Sequence, residues 1–156
     1  MIGVGNTFRR DDGAGIAVTR AARPLMPPGV EVIELDGEPA RLVEAWDGAA
    51  ATFVVDAVRT GAPAGTLHRI DANVGRLPRW APVGGTHALG ISTAVDLARA
   101  LDRLPSHLIV YGVEGAAFED GSSLTPDVAD AVPHTATRLA DEVDALLAGA
   151  AATGGR

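Results

Sequence analysis

Four side chains in this sequence have the types and spacing to do chemistry. Asp11 and Asp12 lie in Gly3-Val4-Gly5-Asn6-Thr7-Phe8-Arg9-Arg10-Asp11-Asp12-Gly13-Ala14-Gly15. Asp56 ends the run Thr52-Phe53-Val54-Val55-Asp56-Ala57, and His87 lies in Gly84-Gly85-Thr86-His87-Ala88-Leu89-Gly90. Acidic residues cap helix starts well, and Asp11 is assigned that role. Two acids in tandem exceed what a cap needs. Neighbouring side chains diverge, so the pair cannot share a proton, and Asp12 is left to face a crevice. The two could exchange roles. Asp56 comes at the carboxyl end of a buried run, where open α/β sheets place ligands. Its bland alternative is to cap the next turn or accept backbone hydrogen bonds, because a buried charge needs partners. His87 opens a helix after a Gly-rich loop, and a helix N-terminus disfavours imidazolium, leaving a neutral, metal-competent ring. Asp12, Asp56 and His87 together offer two carboxylates and an imidazole, an open donor set for a borderline divalent ion.

Other chemistries fit less well. Asp12 and Asp56 could instead act as an aspartic pair with raised pKa. A dinucleotide fingerprint would need a third glycine where Phe8 stands, the P-loop lysine is missing, and two aspartates would repel a pyrophosphate. No Gly-x-Ser-x-Gly elbow, no cysteine and no His–Glu zinc helix motif is present. His68, His107 and His134 have no motif context and read as surface or structural. Ser122 and Ser123 read as loop residues near a helix cap. Trp46 and Trp80 read as packing, with Trp80 in a Pro-rich loop that could touch a partner.

The elements that must position these residues alternate between strands and helices. Strands are expected at Val30 to Leu35, Ala51 to Val58, Ser106 to Val113 and, as a weaker alternating edge, Thr66 to Ile70. Helices are expected from Gly13 to Arg23, Pro39 to Trp46, Ala88 to Leu101 and Pro126 to about Ala148, with Pro133 breaking or kinking the last. Only Met1 to Val4 precede the glycine turn, so the first strand is short or the chain begins a few residues late. The alternation implies an α/β fold: a three-layer α/β/α sandwich on a twisted, mostly parallel five-stranded sheet with one antiparallel edge strand. Asp12 then follows the first strand, Asp56 ends the third, and His87 starts a crossover helix, all above one edge.

The 156 residues suit a single domain over 1–148, with an Ala/Gly-rich flexible tail over 149–156. Hydrophobic residues make up 47% but aromatics only 4%, so the core must be aliphatic and tightly packed. A net charge of −7 argues against a nucleic-acid partner, which needs a basic face. No apolar run approaches the roughly 20 residues of a membrane helix, and no signal peptide opens the chain. The chain reads as cytoplasmic and monomeric.

Taken in order, these segments resemble the hydrogenase maturation endopeptidases. The matching segments are Gly3-Val4-Gly5-Asn6 with Asp11-Asp12-Gly13-Ala14-Gly15, Val55-Asp56-Ala57, and His87-Ala88-Leu89-Gly90. Tyr111-Gly112-Val113-Glu114 and Leu124-Thr125-Pro126-Asp127-Val128 also fit. Each motif is short, and the combination is specific across nearly the whole chain. The resemblance implies an α/β/α fold and an endopeptidase that removes a C-terminal peptide from a nickel-loaded hydrogenase large-subunit precursor. It implies that nickel in the precursor is the recognition determinant, met by Asp12, Asp56 and His87. Three departures stand out: Asp12 is where the family often has Glu, Gly115 is where it has proline, and the first strand is short. The rival reading is a non-catalytic α/β module binding a metal or nucleotide in the same crevice.

Overall fold

The computed structural model describes residues 1–75, 77–78 and 87–153, without the side chains of 87–89 and 151–153. Five strands, β1 (Ile2–Val4), β2 (Ile33–Leu35), β3 (Ala51–Val58), β4 (Leu67–Asp71) and β5 (His107–Glu114), form one sheet in the order β2-β1-β3-β5-β4. All neighbours are parallel except β4, which runs antiparallel to β5 at the edge. The helices are α1 (Ala14–Ala22), α2 (Pro39–Trp46), α3 (His87–Ala100) and α4 (Pro126–Thr153). The expected fold class is therefore the one found.

Alternation along the strands sorts the two faces. Ile2, Val4, Val54, Val58, Leu108 and Val110 pack against α2 and α3. Phe53, Val55, Ala57, Ile109, Tyr111 and Val113 pack against α1 and α4. Asp56 is in phase with Val54 and Val58, so it projects to the face covered by α2 and α3.

The first strand is only three residues long, yet it is wholly buried and paired on both sides. Its brevity also limits β2. The sequence predicts Val30 to Leu35, but pairing needs a partner, and β1 offers three residues. Val30 instead closes a turn onto the Pro27 carbonyl at 3.3 Å.

Helix α1 lies unusually low on the sheet. A Cβ on Gly15 would overlap the carbonyl oxygens of Val4 and Val55. Gly5 takes φ +140°, and a side chain there would overlap the carbonyl of Asp12. The glycine turn thus serves backbone packing, with its space filled by the protein's own carbonyls. The predicted helix start at Gly13 is replaced by a 3-10 turn over Arg10–Gly13, entered through Arg10 at φ 46°.

Helix α4 is not broken at Pro133. It runs unbroken for 28 residues, continuing through the segment assigned to a tail as far as Thr153. Pro133 lies on the exposed face, so its missing N–H and its ring fall on the side away from the sheet. Thr137 Oγ1 donates to the Pro133 carbonyl at 3.1 Å.

Gly15→Ala is expected to cost about 3 kcal/mol, at the upper end for overpacking, because two backbone carbonyls must move. Urea unfolding would measure it. A loss below about 1 kcal/mol would contradict the tight α1 packing.

Candidate functional site

The strand order reverses direction between β1 and β3. The connection from β1 leads outward to β2, and the one from β3 leads the other way. In open α/β sheets, ligands bind outside the carboxyl ends of the strands at such a point. Asp12 sits in the turn after β1, and Asp56 is two residues from the end of β3.

The tandem acids turn out to have distinct tasks, and the helix-cap role expected of Asp11 is not the one it plays. Neither the 3-10 turn nor α1 has a side-chain cap. Asp11 instead reaches across to the β5–α4 connection. Its carboxylate accepts from Ala116 N at 2.9 Å, Ala117 N at 3.0 Å, Thr125 N at 2.7 Å and Thr125 Oγ1 at 2.8 Å. Burial pushes its pKa up, but the hydrogen bonds from Thr125, Ala117 and Ala116 outweigh that and hold it below the ordinary value. Asp11 is thus a structural staple, and Asp12 is the acid that shares the edge with Asp56.

Asp12 is 3% exposed and Asp56 is 1% exposed. Asp56 Oδ1 accepts from the Ala57 amide at 2.8 Å. Its Oδ2 is buried and accepts no hydrogen bond among the described residues. Burial raises the Asp56 pKa well above the usual carboxylate range, the Ala57 amide pulls it down, and the charge of Asp12 raises it further. The 3-10 turn that carries Asp12 packs against β3, so both acids lie at the same end of the sheet.

His87 is the first residue of α3, as expected, and its side chain lies outside the described residues. The backbone still locates it. Gly90, one turn further on, approaches the Gly37 carbonyl so closely that a Cβ would overlap it. Gly37 follows β2 and precedes α2, whose N-cap Glu38 accepts from Ala40 N and Arg41 N. The start of α3 is therefore pressed onto the turn leaving β2, on the face to which Asp56 projects. Among the described residues, no three His, Asp or Glu side chains gather as a metal site. Gly84, Gly85 and Trp80 lie outside the described residues.

Two features escaped the sequence. Glu114 is 1% exposed and accepts from Thr60 N at 2.7 Å, Thr60 Oγ1 at 2.9 Å and Gly61 N at 2.9 Å, with His68 Nε2 at 3.1 Å. This pins the turn after β3 and gives His68 a structural role. Asp36, after β2, adds a carboxylate at the same edge, ion-paired to Arg41 at 3.0 Å. Gly115, where the resembling family has proline, donates its N–H to the Val58 carbonyl at 2.9 Å, which a proline could not do. The space beside it is filled by the Phe118 ring.

Comparison with known proteins bears on the whole arrangement. A family model described as hydrogenase maturation protease matches residues 17–142, a span that includes Asp56 and His87. A hydrogenase expression/formation protein, HupD of Thiocapsa roseopersicina, is 28% identical over 137 residues, covering 85% of this chain and 61% of that protein. The chain thus spans less than two thirds of that relative's length. The solved structure of the hydrogenase maturating endopeptidase HybD from E. coli superposes with a TM-score of 0.69 at 20% identity, covering 98% of this chain and 91% of that one. The solution structure of an endopeptidase from Escherichia coli gives 0.75 at 20% identity, covering 88% and 86%. At these identities the structures share the fold.

Two variants separate the acids. Asp11→Ala should cost about 2 kcal/mol, since it removes the shared acceptor of several part-buried donors, and should speed amide exchange at Ala116, Ala117 and Thr125. Asp56→Asn should do the opposite near neutral pH. The folded protein holds the Asp56 proton more tightly than the unfolded chain, so wild-type stability falls as pH rises between the two pKa values. The variant should therefore gain over wild type across that window and match it in acid. Denaturation curves across pH would show this, and a constant difference would contradict it.

Proposed function

The chain belongs to the hydrogenase maturation proteases, and on that premise we propose that it is an endopeptidase that trims the C-terminus of a nickel-loaded hydrogenase large-subunit precursor. The carrying observation is that Asp12 and Asp56 are both buried at the switch point between β1 and β3. The proposal has the enzyme act as a cytoplasmic monomer. No helix among the described residues is long and apolar enough to cross a membrane.

Nickel in this reading belongs to the substrate. The donor chemistry suits it. Two carboxylates and a neutral imidazole balance a dication, and Asp56 Oδ2 is a buried acceptor with no donor among the described residues. Asp12, Asp56 and His87 would complete the ion's coordination and so fix where the precursor sits. Positioning of this kind removes much of the entropic barrier to attack on one peptide bond. Peptide hydrolysis also needs a group to accept a proton from water, and carboxylates at this edge are the candidates. Asp12, one methylene shorter than the more common Glu, would still bind, with a modestly altered reach.

Asp12→Ala and His87→Ala should leave a folded protein that no longer shortens a nickel-loaded precursor, with rates down by about 100-fold or more if these groups position the substrate. Mass spectrometry of the precursor would follow the reaction. Full processing by both variants would overturn the site assignment.

A further inference from the structure

One surface feature at the same edge is not absorbed by the site. Phe8 is 75% exposed, in a chain with only three phenylalanines. A single exposed apolar side chain is ordinary, but this one is held on a rigid mount. Its N–H donates to Asn6 Oδ1 at 2.9 Å, and its carbonyl accepts from Gly121 N at 2.9 Å. The next residue, Arg9, bridges to Gly121 and donates through its guanidinium to the Phe118 carbonyl. Arg10 carries the left-handed φ that turns the chain back towards Asp12.

Arg59 stands over the same segment. Its guanidinium lies 4.8 Å from the centre of the Phe118 ring, and that ring is buried. Several other arginines sit against carboxylates, as Arg10 does with Glu119 and Arg41 with Asp36, whereas Arg9 reaches the Phe118 carbonyl. Arg59 has no carboxylate at ion-pair distance among the described residues. Its guanidinium has the Ala116 carbonyl as an acceptor at 3.5 Å, and in a chain of net charge −7 such a cation on an aromatic platform remains open to a partner's carboxylate. It leaves β3 three residues after Asp56, as Phe8 precedes Asp12 by four.

We propose that Phe8 and Arg59 form a docking lip for the folded body of the large-subunit precursor, Phe8 entering an apolar depression and Arg59 meeting a carboxylate beside it. The inference rests on the peptidase reading for the identity of the partner. Aromatic residues and arginine are the types that dominate protein–protein hot spots. Both are pre-ordered here: Phe8 by backbone bonds on either side, Arg59 by the ring beneath it. Binding through them therefore costs little further ordering. Their position beside Asp12 and Asp56 would let one encounter seat both the protein surface and the site to be cut.

Calorimetry of the full-length chain with nickel-loaded precursor tests this independently of cleavage. Phe8→Ala and Arg59→Glu should each weaken the Kd about tenfold or more, as truncation of a hot-spot residue does, while Phe8→Leu stays within about threefold of wild type. Thermal unfolding of the Phe8 variants should be unchanged, because the ring is exposed. Wild-type affinity in both Phe8→Ala and Arg59→Glu, or no binding by the wild type, would overturn the lip. Tight binding without cleavage by the wild type would leave the lip standing and overturn the peptidase reading.

Discussion

A carboxylate taken out of water must find donors, and Asp56 finds only one among the described residues, the amide of the residue that follows it. The nearby Asp12 carboxylate makes its ionised form costlier still. A protein selected for stability alone would place an apolar side chain here, in line with Val54 and Val58. The pair is therefore a local loss of stability held in place by the rest of the fold. In the proposed reading, a cation supplied by the substrate would offset that loss.

Much of the surrounding structure reads as the means of holding that pair. Gly15 lets α1 settle against β1 and β3, and Gly5 lets the turn after β1 fold back beneath Asp12. Asp11 ties the same turn to the β5–α4 connection with four hydrogen bonds. Arg9 and the Gly121 bridge repeat the tie from the other side. Gly90 brings the start of α3 down onto the turn after β2. Each device acts on backbone, and so on the segments that carry the two carboxylates.

What could be read from the sequence follows from the range of the interactions involved. The limits of β3 and α2 were legible, since each is a local run of suitable residues with a clear boundary. The antiparallel edge strand showed in its weaker alternation. The task of Asp11 was not legible, because its partners lie 105 to 114 residues along the chain and no spacing reports them. The His68–Glu114 pair is hidden for the same reason, joining two strands that meet only in the sheet. The length of β2 depends on β1, and the continuity of α4 depends on which face Pro133 occupies. Both are tertiary facts.

In the proposed function the recognised feature belongs to the substrate, a nickel ion whose coordination Asp12, Asp56 and His87 would complete. The most direct measurement offers the wild-type chain the same large-subunit precursor with and without nickel and weighs the product by mass spectrometry. Nickel recognition predicts loss of the C-terminal peptide only from the nickel-loaded form. Equal cleavage of both forms would contradict it.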